Sequence, residues 1–283
     1  MQHIVSSLPI STESATQIES IVTKPTCLAD YGCKVFSQNG EDGIIYYIFS
    51  KIGVTNRKCI EISGGDGIEC NSANLMLNHG FRGLIFEANS EWIEKGIKYY
   101  EKEGKLDRIQ FMQGWITKEN IVGILSSAPD FLGPIDLLTM DIDGVDYWIL
   151  KEIMEANIIQ PRVIIVEYQD ILGPDREWTV PYHPMFHCQK YDCWQGPNFC
   201  GASLKAFMNL LAPHYVFVGC EGLGFNGFFL HKDELGKGIE EMKDITPCFD
   251  IEKVKFGMTY RFPRSQHLPW VDLSVQSVQS LQS

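Results

Sequence analysis

Three observations predict a doubly wound α/β fold with a seven-stranded, mostly parallel sheet whose last strand is reversed. Short apolar runs bounded by turn residues alternate with segments of helical period, the pattern of a parallel sheet covered on both faces. A glycine-rich turn follows the first strand. The last two strands are separated only by EGLGFN (221–226), too few residues for a parallel crossover, so they pair antiparallel.

The elements follow in order. GEDGIIYYIFSKIG has apolar residues at 44, 45, 48, 49 and 52, one face of a helix. KCIEI is the first strand. NSANLMLNHG is a helix with an Asn/Ser start and a stop at Gly80. GLIFE is a strand, and SEWIEKGIKYYEKEG a helix opened by Ser90 and closed by Gly104. RIQFMQ is a strand and TKENIVGILSS a helix. IDLLTMD is a strand, YWILKEIMEAN a helix and PRVIIVEY a strand. After an irregular stretch, GASLKAFMNLLAP is a helix, and YVFVGC and GFFLHK close the series.

A main domain is expected over 31–262, with a lid-like irregular insert at 169–200. Residues 1–30 are polar and weakly patterned and read as an extension. Residues 263–283 read as a tail whose end, VDLSVQSVQSLQS, repeats Ser, Gln and an aliphatic residue. Such a tail frays or packs on a neighbour, which makes a homo-oligomer a candidate assembly. The net charge of −12 argues against nucleic acid as a partner, which needs a basic face. No apolar run approaches the ~18 residues of a membrane span. MQHIVSSLPISTES lacks the basic start and apolar core of a secretory signal. The nine cysteines are odd in number and contain no C-x-x-C pair; with no leader, they fit a reducing, cytoplasmic setting.

The turn CIEISGGDGIECN holds Glu61 and glycines at 64, 65 and 67. Glycines there allow a tight turn and close approach of a ligand to the backbone. G-x-G-x-x-G is not matched, so the dinucleotide fingerprint fails. Glu87 ends the second strand about 20 residues on, where an acid can take ribose hydroxyls. A plain strand-to-helix turn is the structural alternative.

FSQNGEDGIIYYIF, IEISGGDGIECNSANLMLNHGFRGLIFEAN, IDLLTMDIDGVDYWILKEI, VIIVEYQ and GASLKAF with GFNGFFLHKDEL follow one another between about 36 and 235. Together they resemble the FkbM-like methyltransferases, which depend on S-adenosylmethionine (SAM). The resemblance implies the class I, Rossmann-like methyltransferase fold and methyl transfer to a hydroxyl of a sugar or other small metabolite. By position it implies that Gln38 and Glu41 border the methionine end of SAM, that Glu61, Gly65 and Gly67 form the loop, and that Glu87 holds the ribose. Ser63 and Gly64–Gly65 stand where the family often has Gly-Ala-aromatic.

Asp141, Asp143 and Asp146 cluster where the fourth strand runs out, and Glu167 ends the fifth. Adjacent strands lie about 5 Å apart, so Asp141, Asp143 and Glu167 are expected to converge at the carboxyl edge, where open α/β sheets bind ligands. Asp141 and Asp143 are candidate catalytic acids, and Asp141 also a cofactor contact. With Glu167 they are a candidate site for Mg²⁺, Mn²⁺ or Ca²⁺. Asp146 fits a helix cap. The insert contributes His183 and His187 as candidate general bases; a zinc set from these with Cys188, Cys193 and Cys200 matches no familiar spacing. Two other functions compete: a metal-dependent hydrolase using Asp141, Asp143 and Glu167, and a non-catalytic SAM-fold binding protein.

Overall fold

Lys58–Ile62 forms the first strand (β1), an inner strand of the sheet. Its neighbours are β2 (Arg82–Glu87) and β4 (Gly133–Met140), both parallel to it. Outward from these lie β3 (Ile109–Gln113), β5 (Ile159–Glu167), β7 (Asn226–His231) and β6 (Tyr215–Cys220). This computed structural model describes residues 1–22 and 25–275. The strand order is β3-β2-β1-β4-β5-β7-β6, with β7 antiparallel to both neighbours. This is the seven-stranded, mostly parallel arrangement with a reversed last strand expected from the sequence. Its order switches direction between β1 and β4, the position at which open sheets hold ligands.

Strand side chains alternate between faces, and this alternation divides the interior into two apolar layers. Ile60, Ile62, Leu138, Met140, Ile164 and Val166 face one layer. It is covered by α6 (Ile121–Ser126), α7 (Asp146–Ala156) and α8 (Leu204–Leu211). Cys59, Leu137, Val163, Ile165, Phe228 and Leu230 face the other. That side is covered by α1 (Gln2–Ser7), α2 (Thr12–Ile21), α3 (Glu41–Ile52), α4 (Ala73–Asn78) and α5 (Ser90–Lys102).

The N-terminal stretch, read from sequence as an extension, forms α1 and α2 packed on α3 through Val5, Ala15 and Ile18. The insert 169–200 is held by its rings: Tyr191 and Trp270 both stand edge-on to Phe199 at 4.6 Å. Within it Trp178–Thr179 pairs with Val271–Asp272, so the front of the tail is part of a small ribbon. The repetitive stretch from 276 on lies outside the described residues.

At the amino end of the sheet Asp136 of β4 is wholly buried. It accepts hydrogen bonds from the backbone of Thr55, Asn56 and Arg57 and from the Thr55 hydroxyl, and pairs with Arg162 at 2.9 Å. Arg162 also bonds Glu234 at 2.7 Å. This network ties the turn before β1 to β4 and β5. Asp136→Ala leaves the backbone amides of Thr55, Asn56 and Arg57 without their acceptor and removes one of the two carboxylates that pair with Arg162, and is expected to destabilise the protein by about 3–5 kcal/mol in urea unfolding.

Candidate active site

The turn after β1 is tighter than its composition implies. Ser63, Gly65 and Gly67 all lie in the left-handed region, at φ +64, +58 and +69. Ser63, the departure from the glycine pattern, therefore holds a backbone that costs a non-glycine residue about 1–2 kcal/mol. At Gly64 an added Cβ would come within 2.7 Å of Glu61 Cγ, so no side chain fits.

Two acids hold this turn. Glu61 accepts from the backbone N–H groups of Asn71 (3.3 Å) and Ser72 (3.0 Å). Burial pushes its carboxyl pKa up, against the pull of these bonds. Glu87 accepts from Gly65 N–H (3.0 Å) and Asn89 N–H (2.8 Å). Each Glu87 oxygen keeps a second lone pair for a ligand.

Above the turn opens a cleft of about 580 Å³. Gln38, Glu41, Glu61, Gly65, Asp141 and Asp143 line it together. Glu87 lines an adjoining hollow of about 140 Å³, with Phe86, Trp115 and Ile142. Gly67 lines neither; a Cβ there would meet Ile85 at 2.7 Å, so its part is to shape the turn. Glu41 is fully buried and accepts from Asn39 N–H (2.8 Å) and Asn226 Nδ2 (2.9 Å). Asn226 Oδ1 has no partner.

Opposite the turn stand the acids from the ends of β4 and β5. Oxygens of Asp141, Asp143 and Glu167 all lie within 4.8 Å of one another. Strand alternation does not bring Asp143 there, because β4 ends at Met140. A left-handed backbone at Asp143, φ +54, turns it back. Asp146 fixes this turn by accepting from the N–H groups of Ile142 (2.7 Å) and Gly144 (3.0 Å). It opens α7 as expected, but its carboxylate braces the preceding loop instead of capping the helix.

Asp141 and Asp143 open onto the cleft on one side, and protein crowds them on the others. That crowding, with the neighbouring carboxylates, pushes Asp141 up to about 7; a bond with Glu167 works the other way. Desolvation raises Asp143 as well. Glu167 is raised well above the usual carboxylate range by burial and then by Asp141. Asp146, wholly buried, is pushed up to about 6.

No family model matches the chain, and no curated protein does either. Among solved structures the chain is similar to an O-methyltransferase from Bacillus cereus in complex with S-adenosylhomocysteine (SAH). The identity is 15%, the match covers 78% of this chain and 90% of that one, and the TM-score is 0.41. It is also similar to a SAM-dependent methyltransferase from Thiobacillus denitrificans in complex with SAH (14%; 62% and 64%; TM-score 0.35). A third is the glycopeptide N-methyltransferase MtfA (9%; 65% and 92%; TM-score 0.40).

His183 and His187 sit on an exposed turn. His183 Nδ1 accepts from Met185 N–H at 3.0 Å, and His187 packs on Trp115 at 4.7 Å. Neither lines the cleft or the cavity behind the acids. The His and Cys side chains of the insert form no zinc set. Among the described residues, Asp141, Asp143 and Glu167 are the one group of three with ligand atoms so close. Sequence reasoning missed Asn226 and Trp92, which line the cleft. Asn226 is the last residue of the predicted EGLGFN link, but nothing local marks it.

An acid whose folded pKa is raised keeps a proton that the unfolded chain, at about 3.9 for Asp, has released. The folded state then loses stability as pH climbs from about 4 to 7, and the whole loss is present above 7. Asp141→Asn cannot ionise. It is expected to raise the thermal midpoint more at pH 8 than at pH 4.5; equal shifts would mean that the negative charge is already compensated.

Proposed function

We propose that the protein is a SAM-dependent methyltransferase acting on a hydroxyl group of a small, sugar-like acceptor. One observation carries this: a glycine turn braced by Glu61 and Glu87 faces a carboxylate cluster with a raised pKa across one cleft. The residues fit the cofactor. Glu87 has free lone pairs for ribose hydroxyls, Gly65 keeps the turn free of side chains, and Gln38, Glu41 and the unpartnered Asn226 Oδ1 offer polar groups further along. Bound there, SAM supplies a methyl group activated on a sulfonium.

The chain's own part is to place the acceptor and take its proton. Asp141, near 7, is matched to accept a proton at neutral pH, and such groups contribute about 10²–10⁴-fold. Asp143 and Glu167 orient the hydroxyl and share the charge. The resemblance of the motifs to the FkbM-like family supports the sugar-like acceptor. His183 and His187 have no part in this reading.

The same three acids support a second form of the site, in which they hold Mg²⁺ or Mn²⁺. Hard oxygen donors at this spacing suit such ions, and a cation would relieve the repulsion. The hydrolase alternative leaves the glycine turn and Glu87 without a ligand.

Calorimetry with SAH tests the first reading. Glu87→Ala is expected to weaken binding about 5- to 150-fold, the loss of one to a few kcal/mol when a charged acceptor is removed. No binding by the unmodified protein would end the methyltransferase reading.

Titration with Mn²⁺, followed by electron paramagnetic resonance, separates the two forms. Uptake lost in Asp141→Asn and Glu167→Gln marks a metal site; no uptake leaves the carboxylates as proton acceptors. In either case Asp141→Asn is expected to lower the release of SAH in turnover about 10²–10⁴-fold.

A further inference from the structure

The cleft over the glycine turn is charged almost wholly with one sign. Six acids line it, Glu41, Glu61, Asp66, Glu69, Asp141 and Asp143, against one base, Lys95. Two of the acids have lysine partners: Asp66 pairs with Lys95 at 2.5 Å and Glu69 with Lys34 at 3.6 Å. The other four, Glu41, Glu61, Asp141 and Asp143, pair with no lysine, arginine or histidine among the described residues.

A further acceptor stands among them. Asn226 is 7% exposed and lines the same cleft, and its Oδ1 meets no donor. Its Nδ2 is committed to Glu41 at 2.9 Å. That bond fixes which way the amide faces, because an ionised carboxylate can only accept. The inner cleft therefore offers negative charge and a free acceptor, and it has no cation of its own. Charges taken out of water call for a partner. Here the partner has to come with the ligand.

Strand register sets where that charge is felt. Met140 of β4 pairs with Ile62 of β1, and the Asp141 N–H bonds the Ile62 carbonyl at 3.3 Å. Asp141 leaves the sheet one strand over from Ser63, where the glycine turn begins. A ligand lying on the turn lies against Asp141.

We propose that the unpaired charge makes the cleft select its cofactor by charge: it holds SAM, a sulfonium, and lets go of SAH, a neutral thioether, with Asp141 and Asp143 as the selecting residues. This rests on the methyl-transfer reading of the site. In the transfer the S–CH₃ bond breaks with its electron pair staying on sulfur. An O–CH₃ bond forms, and the hydroxyl proton of the acceptor passes to the acid wall. The sulfur thus loses its charge in the step that makes the product, and the attraction that held the cofactor ends with it. A tenfold preference asks for about 1.4 kcal/mol, which a close charge pair near a protein surface can supply. Carboxylates that only placed the acceptor would leave the cofactor affinities alike.

Calorimetry on the full chain at pH 8 tests this with three ligands: SAM, SAH and sinefungin, an analogue with a protonated amine on carbon in place of the sulfonium. A chelator is present, so that no stray cation stands in for the charge of the ligand. SAM and sinefungin are expected to bind at least about tenfold more tightly than SAH. Asp141→Asn is expected to cut that margin to about threefold or less while leaving SAH affinity within about twofold, which also shows that the variant folds. Asp143→Asn is the second variant, because Asn accepts the left-handed backbone found there, φ +54; it should narrow the margin too. SAH bound as tightly as SAM by the unmodified chain overturns the proposal. So does a margin unchanged in both variants, or an equal loss of all three ligands, which would make Asp141 a structural residue. If none of the three binds the unmodified chain, the methyltransferase reading itself fails; if all three bind alike, only the charge selection does.

Discussion

Three carboxylates whose oxygens lie within 4.8 Å of one another repel when ionised, and strand register and one turn hold them there. Two come by strand register. Asp141 follows β4 and Glu167 ends β5, and Met140 pairs with Val166, so the two acids leave the sheet side by side. The third comes by a strained turn at Asp143, braced by Asp146. A cluster of this kind persists only with a shared proton, a cation or strong donors. Strong donors do not figure at Asp141: among the leading influences on its carboxyl, the one favourable bond is with Glu167, itself an acid. A shared proton or a cation remains.

The contrast within β4 makes the point sharper. Asp136, in the amino-terminal half of that strand, is surrounded by amide donors and a guanidinium. Asp141, just past the other end, meets carboxylates and open cleft. The buried polar groups at the amino end are satisfied, as stability requires. Those at the carboxyl end are left wanting, as sites tend to be. Glu61 and Glu87 fall between the two: each spends bonds on the backbone of the glycine turn, and each lies beside space for a ligand.

The sheet was legible in the sequence because its strands are buried on both faces. KCIEI and YVFVGC are apolar runs with polar or glycine borders, and they form strands over the same residues. The short EGLGFN link settled the reversal of the last strand. The N-terminal helices were not legible: α1 and α2 bury little more than Val5, Ala15 and Ile18 within a polar stretch, too sparse a stripe to register. Asp141 and Glu167 could be placed from strand ends alone. Asp143 could not, since its position depends on one backbone angle. The ring cluster of Trp194, Phe256 and Tyr260 was invisible for another reason. It joins 194 to 256–260, and no local pattern reports a contact over that separation.

The N-terminal helices also join parts of the molecule that the sequence keeps apart. Val5 offers its carbonyl to Asn74 Nδ2 (3.1 Å) on α4 and lies 2.7 Å from His79 Nε2. Leu8 and Pro9 take the hydroxyl of Tyr46 on α3. The cleft opens between the segment that leads into α3, with Gln38 and Glu41, and the turn that leads into α4. One strap therefore crosses the back of both walls, like a tie-rod behind an arch. The spacing of the cleft is set in part by residues that never touch its contents. A fusion partner or a trimmed end at residue 1 would act on that spacing from behind.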